Sequence, residues 1–318
     1  MKKILVVLII LLGFLTGCNK NDNELTVVAT NFPCYDFLRA VTKDSKIKVE
    51  MLISPGSEIH DFEPTPGDIL KIKNSKLFVY VGGESDEWLE DIISEIDPSK
   101  TKIIKLMDLV NVYEEEHVEG MEEEHEHEHE HEHEEEHEHE EEEEYDEHVW
   151  TSPVNAKIIV EKLADEVIAL DESNREKYIA ARDSYVSELV DIDNSIKEIV
   201  ANSKRKEIIF GDRFPLRYFV EEYGLTYYAA FPGCAEQTEA SAKTISFLIN
   251  KVKEDKIPVV FHIELSNAKI AESISKETNA KVREFNSAHN ISKKDFDSGI
   301  TYADIMKSNL LVLKEALN

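Results

Sequence analysis

Histidine and carboxylate side chains crowd one stretch of this chain. Residues 114–147 contain 22 acidic residues and eight histidines, much of it in the alternation EHEHEHEHEHEEEHEHEEEEE. Neutral imidazole suits zinc, copper and nickel, and carboxylates add hard oxygen ligands. The composition points to transition-metal handling. It holds too few apolar residues to build a core, so the stretch is expected to be disordered. Four further histidines lie outside it: His60, His148, His262 and His289. His60 sits in a segment stiffened by Pro55, Pro64 and Pro66, and stiffness suits a preformed ligand. His148 sits where ordinary composition resumes, in Asp146-Glu147-His148-Val149-Trp150.

Other chemistries find less support. The sequence has no His-Glu-x-x-His, no Gly-x-Ser-x-Gly and no phosphate-cradling glycine loop. Three histidines around an open position also describe a catalytic zinc site, so a zinc hydrolase stays as the weakest alternative. The formal charge is −30, but without the 22 acids of the run it falls to −8. The acidity is local, and nucleic acid is not an expected partner.

The elements that must position these histidines follow from the apolar pattern. Strands are expected at 25–30, 46–53, 76–81 and 101–106, with helices at 35–42, 68–74, 84–96 and 154–170 between or after them. From 174 to 201 there is no Gly or Pro, and apolar residues recur at helical spacing from Tyr178 to Ile199. Such a helix spans roughly 40 Å, enough for a strut between two lobes. The alternation then restarts, with strands at 207–210, 226–230, 258–262 and 280–285 and helices at 216–223, 240–254, 267–278 and 302–316. The fold class expected is α/β: two lobes, each a mostly parallel sheet flanked by helices, joined by one long rigid helix. Ligands in such sheets bind beyond the carboxyl ends of the strands.

The first 17 residues carry Lys2 and Lys3, a short apolar stretch and Leu-Thr-Gly before Cys18. The apolar stretch is short for a spanning helix. It resembles a bacterial lipoprotein signal, which implies cleavage before Cys18 and a lipid on its thiol. The expected organisation is a signal peptide at 1–17, a lipid-anchored tether at 18–24, a first lobe at 25–172, a linking helix at 173–203 and a second lobe at 204–318. Cys34 and Cys234 are then the remaining cysteines. In an exported protein they are either a disulfide or two separate buried thiols.

The segments Gly-Ser-Glu-Ile-His-Asp-Phe-Glu-Pro-Thr-Pro around His60 and Glu-His-Val-Trp-Thr-Ser-Pro around His148 resemble two motifs of the metal-binding lipoproteins of bacterial ABC importers. The resemblance covers nearly the whole mature chain. It implies a zinc- or manganese-binding protein outside the cytoplasmic membrane, with a permease and its ATPase as partners. It also implies that His60 and His148 are metal ligands of the first lobe. The second lobe departs from the pattern, because one expected ligand position falls on Gly211. The other falls on Asn286 or His289, and His289 is chemically the better ligand. Asp212, His262, Glu264 or water are left for a fourth position. His262 and Glu264, on one face of a strand, also read as a buried polar pair. The nitrogen-rich set His60, His148 and His289 favours Zn2+, with Mn2+ second. The expected role is a monomeric zinc carrier for an importer; the alternative is a surface metal buffer or adhesin whose active part is the run.

Overall fold

The computed structural model describes residues 25–57, 59, 62–121, 144–235 and 239–318. The expected signal peptide and tether, with Cys18, and most of the His/Glu run lie outside the described residues.

Both sheets use the same plan. Strands β1 (Thr26–Ala29), β2 (Lys48–Met51), β3 (Leu77–Tyr80) and β4 (Lys102–Lys105) run parallel in the order β2-β1-β3-β4. Strands β5 (Glu207–Arg213), β6 (Thr226–Phe231), β7 (Val259–His262) and β8 (Lys281–Glu284) run parallel in the order β6-β5-β7-β8. In each sheet the order reverses beside the first strand, which opens a crevice at the carboxyl ends.

Side-chain alternation divides the core. Val27, Ala29, Leu77 and Val79 of the first sheet share one apolar cluster with Ile208, Phe210, Val259 and Phe261 of the second. Val28 and Phe78 instead face a small outer cluster with Ile72 and Leu89, and Ile209 and Val260 face another with Leu248 and Ile274. The inner faces of both sheets thus contribute to one core that also takes in the helices Phe32–Val41, Pro153–Leu170, Arg175–Ala201 and Tyr302–Leu317, while the period of two in a strand sends the alternate residues to the outer clusters.

Helices α1 (Phe32–Val41), α2 (Pro66–Asn74), α3 (Glu90–Ile93), α4 (Pro153–Leu170) and α5 (Arg175–Ala201) precede the second sheet. Helices α6 (Arg217–Tyr223), α7 (Ala242–Glu254), α8 (Lys269–Thr278), α9 (Lys293–Ser298) and α10 (Tyr302–Leu317) belong to the second lobe. Local chemistry sets many of the starts. Asn31 and Ser152 cap α1 and α4, and Thr65–Asp68 and Thr301–Asp304 form capping boxes on α2 and α10. The long strut is α5, as the spacing predicts, and it packs on α4 and α10. The expected helix over 84–96 is instead a 3-10 turn, Glu84–Leu89, followed by the single turn α3. Asp86 is the reason: its carboxylate accepts the Val81 and Gly82 N–H groups at 2.9 and 3.0 Å, which ties the turn back to the end of β3. Cys34 and Cys234 are separate buried thiols, not a disulfide.

The ends of the acidic stretch belong to the fold, contrary to the expectation that 114–147 is disordered throughout. Glu114 pairs with Tyr145, and Glu115 N–H donates to Glu144 O at 2.9 Å. The strap that follows lies on the second lobe. Glu115 accepts the Gly233 and Cys234 N–H groups at 2.9 and 3.2 Å, Arg217 lies 3.4 Å from Glu116, and Met121 is buried. Gly120, at φ +89°, passes so close to Phe247 that a Cβ there would stand 2.1 Å from its ring. Apolar and hydrogen-bonded partners across the lobes order these ends, which composition alone does not reveal.

Behind the sheets, one buried carboxylate knots three elements. Asp36 of α1 accepts Tyr185 OH from α5 at 2.7 Å and Tyr302 N–H from α10 at 2.8 Å, and it pairs with Arg39. Arg39 also donates to Ile300 O at 2.8 Å. Asp36 is 1% exposed. Asp36→Ala strands these donors, and the apo protein is expected to lose about 3 kcal/mol in urea unfolding. A loss below about 1 kcal/mol means that the knot holds little.

Candidate metal centre

His148 comes from the turn that leads into α4, and Asp146 fixes its pose. Asp146 Oδ1 accepts the His148 backbone N–H at 2.8 Å and lies 3.1 Å from its Nδ1. A carboxylate accepts, so Nδ1 carries the proton and Nε2 presents its lone pair. Nε2 is buried and has no hydrogen-bond partner among the described residues. Tyr218 OH donates to Asp146 O at 2.6 Å and anchors this segment to the second lobe. Thr151 and its hydroxyl both donate to His148 O, which completes the turn.

His289 arrives from the other lobe, on the loop after β8. Glu264, just past β7, shapes that loop: its carboxylate accepts Ser287 N–H and Oγ–H at 2.7 Å each and His289 N–H at 3.0 Å. Ala288 takes a left-handed conformation, φ +58°, which turns the chain before His289. The two imidazole rings meet edge to face with centroids 4.8 Å apart, and Trp150 flanks both. Trp150 Nε1 donates to Ser287 O at 2.9 Å and so closes the seam between the lobes.

Carboxylates surround the pair. Ligand atoms of Glu147, His148 and His289 all lie within 4.8 Å of one another. Asp146 and Glu147 are 2% and 1% exposed, and among the described residues neither has a Lys or Arg within ion-pair distance. Burial pushes the Glu147 carboxyl up, against the pull of His148 and Ser85. Burial disfavours the His148 imidazolium, but Asp146, Glu147 and Glu115 outweigh it and hold its pKa above the ordinary histidine value. Buried negative charge answered by imidazoles alone, with no Lys or Arg among the described residues, is costly and favours a bound cation. The cleft beside His289, bordered by Ser57, Ile59, Arg213 and Leu265, has a volume of about 40 Å³. That admits an ion and a few waters, and falls far short of the roughly 300 Å³ at which organic-ligand sites begin. A larger cavity of about 690 Å³ between α1 and α5 contains no such grouping of ligands among the described residues.

The structure therefore brings together His148 and His289 of the expected set. His60 lies outside the described residues. Its neighbours Gly56 and Ser57 hydrogen-bond to the Asn290 side chain, beside His289. The candidates for a fourth position are used elsewhere. Asp212 accepts Arg213 N–H at 2.9 Å and Ile263 N–H at 3.3 Å, which ties the ends of β5 and β7; it does not cap α6, and among the described residues it does not join His148 and His289. His262 sits with Nδ1 2.9 Å from Ile263 O, so the expected His262–Glu264 pair does not form. Glu264 holds the His289 loop instead. Asn286 accepts Ala288 N–H at 2.8 Å and shapes the same loop. Gly211 cannot carry a ligand, because a Cβ there would stand 2.5 Å from the Ala271 nitrogen of α8. Sequence reasoning missed the placement of Glu147, which reads as the last member of the acidic run. The signal available was its position between Asp146 and His148.

Comparison with known proteins identifies the family and agrees with the fold. The family model described as "Zinc-uptake complex component A periplasmic" (ZnuA) matches residues 27–316. The high-affinity zinc uptake system protein ZnuA of Bacillus subtilis is 32% identical over 301 residues, covering 95% of this chain and 90% of that protein. The zinc-binding lipoprotein AdcA of Streptococcus pneumoniae is 30% identical over 325 residues; the match covers 99% of this chain but only 61% of AdcA. Among solved structures, the Zn(II)-bound ZnuA-like domain of that AdcA superposes with a TM-score of 0.74 at 26% identity, over 93% of this chain and 99% of the domain. The metal-dependent lipoprotein YcdH of Bacillus subtilis gives 0.75 at 28% identity, over 93% of this chain and all of that one. The family is one of solute-binding components of zinc uptake outside the cytoplasm, not of enzymes. This chain belongs to the ZnuA family of extracytoplasmic zinc-uptake proteins.

Proposed function

We propose that this chain captures Zn2+ between its two lobes through His148 and His289, with His60 as a third nitrogen ligand, and passes it to an ABC permease and ATPase. One observation carries the reading: a fully buried imidazole, His148, and a mostly enclosed one from the opposite lobe, His289, face each other beside carboxylates that, among the described residues, have no Lys or Arg within ion-pair distance. Zinc accepts such a mixed nitrogen and oxygen set. The chain works as a monomer held at the membrane by lipid on Cys18. The run at 122–143 gathers zinc weakly through its many His and Glu side chains and raises the concentration at the cleft.

His60→Ala combined with His148→Ala is expected to abolish tight one-to-one zinc binding in calorimetry, and His289→Ala to weaken it severely. Unchanged affinity in either variant refutes the ligand set. Deleting 122–143 separates this reading from a surface buffer. Tight one-to-one binding is expected to survive, and its complete loss places the function in the run.

Proton competition follows from the raised pKa of His148. A bound proton blocks the ligand, so zinc affinity should fall as pH drops, starting above the pKa of about 6.5 of an ordinary imidazole. Asp146→Asn removes the carboxylate that orients the ring. It is expected to lower affinity about 10- to 100-fold near pH 8 and to move the onset of proton competition to lower pH. A chelator-competition titration across pH 5.5–8 reads both effects, and a curve that starts to fall only below the ordinary imidazole range counts against the assignment.

A further inference from the structure

We propose that Glu147 is an oxygen ligand of the same centre, held ready by Ser85, and that the loop after β3 sets which metal the site prefers. The inference rests on the zinc-capture reading above. Glu147 is fully enclosed, yet no Lys or Arg among the described residues neutralises it. Its Oε1 lies 3.7 Å from His289 Nε2, and its ligand atoms share the 4.8 Å neighbourhood with His148 and His289. An ion seated between the two imidazoles therefore touches this carboxylate with little movement.

Ser85 makes the carboxylate a prepared ligand rather than a loose one. Its backbone N–H donates to Oε2 at 2.9 Å and its hydroxyl donates to Oε1. A carboxylate oxygen accepts more than one bond, so Oε1 keeps a lone pair for a cation. Gly83 lets the loop approach: at φ +81°, a Cβ there would stand 2.6 Å from the Glu147 Cβ. Asp86 clamps the same turn onto the end of β3. The loop 82–86 thus exists in a shape that only a glycine-bearing chain reaches, and its product is a fixed carboxylate facing two imidazoles. Oriented partners of this kind tune metal affinity and preference. Because manganese depends on oxygen ligands more than zinc does, Glu147 keeps some manganese affinity in a site that nitrogen otherwise tilts towards zinc.

The test uses the full chain at one equivalent of metal. Glu147→Gln keeps the shape and removes the charge. Zinc affinity in chelator competition is expected to fall at least about tenfold, and manganese affinity by a larger factor. The visible absorption bands of the Co2+-loaded protein are expected to shift, because the ligand set changes. Wild-type zinc affinity together with an unchanged Co2+ spectrum overturns the assignment and leaves Glu147 a structural residue. Ser85→Ala is the second probe should Glu147→Gln fail to fold. It retains the carboxylate but loosens it, and a weaker, spectrally altered Co2+ complex is expected; an unchanged spectrum overturns the positioning role. If the wild-type chain itself binds no zinc at one equivalent, the zinc-capture reading fails. If the wild type binds and Glu147→Gln matches it, only this inference fails.

Discussion

Buried negative charge that, among the described residues, meets imidazoles but no Lys or Arg is the constraint that the rest of this protein serves. Asp146 and Glu147 lie side by side at the seam of two lobes, with two imidazoles between them and the opposite wall. Water is largely excluded there, and the charges must be held by hydrogen bonds until a cation arrives. The fold supplies those bonds from many directions. Ser85, in the loop after β3, donates to the Glu147 carboxylate, and the His148 amide, in the turn before α4, donates to the Asp146 carboxylate, while Tyr218 of α6 holds the segment through the Asp146 backbone carbonyl. Glu264 performs the mirror task in the other lobe by holding the loop of His289 through four donors.

The repeated strand order explains how such groups meet. Each lobe places its crevice at the carboxyl ends of its sheet, and the shared core turns the two crevices towards each other. Helix α5 spans the back, and Asp36 locks it to the first and last helices. A wide hinge opening would have to break the Asp36 knot, the Trp150–Ser287 bond and the strap over the second lobe together. Small tilts, which shift loops and leave the packed helices in place, are the cheaper motion.

Much of this was readable in the chain. Short apolar runs located the strands, and the helical spacing of apolar residues from Tyr178 to Ile199 located the strut. The expected α/β two-lobe plan and the strut match the structure. His148 stood out through its Glu-His-Val-Trp motif, and His289 because the family resemblance puts a second-lobe ligand at Asn286 or His289. The supporting cast did not stand out, because its partners are distant in sequence. Ser85 and Glu147 are 62 positions apart, and Asp36 and Tyr302 are 266 apart. Glu115 and Glu147 were further hidden by composition: they look like members of an acidic run, and only distant partners, Gly233 and Cys234 for Glu115 and Ser85 for Glu147, give them separate jobs. The single-helix reading of 84–96 failed for the same reason, since Asp86 spends its carboxylate on β3 rather than on helix propagation.

The core shared by the two inner sheet faces has a thermodynamic consequence. Neither lobe carries its own main core; each holds only a small outer cluster, while the large one belongs to both. Cutting the chain within α5 and expressing the halves would leave each with a broad apolar face open to water, a state prone to aggregation. The two lobes are therefore one cooperative unit, and a scanning calorimeter should record a single melting transition for both. A metal ion bound at the seam then raises the melting point of the entire molecule, because there is no independent half left for it to ignore.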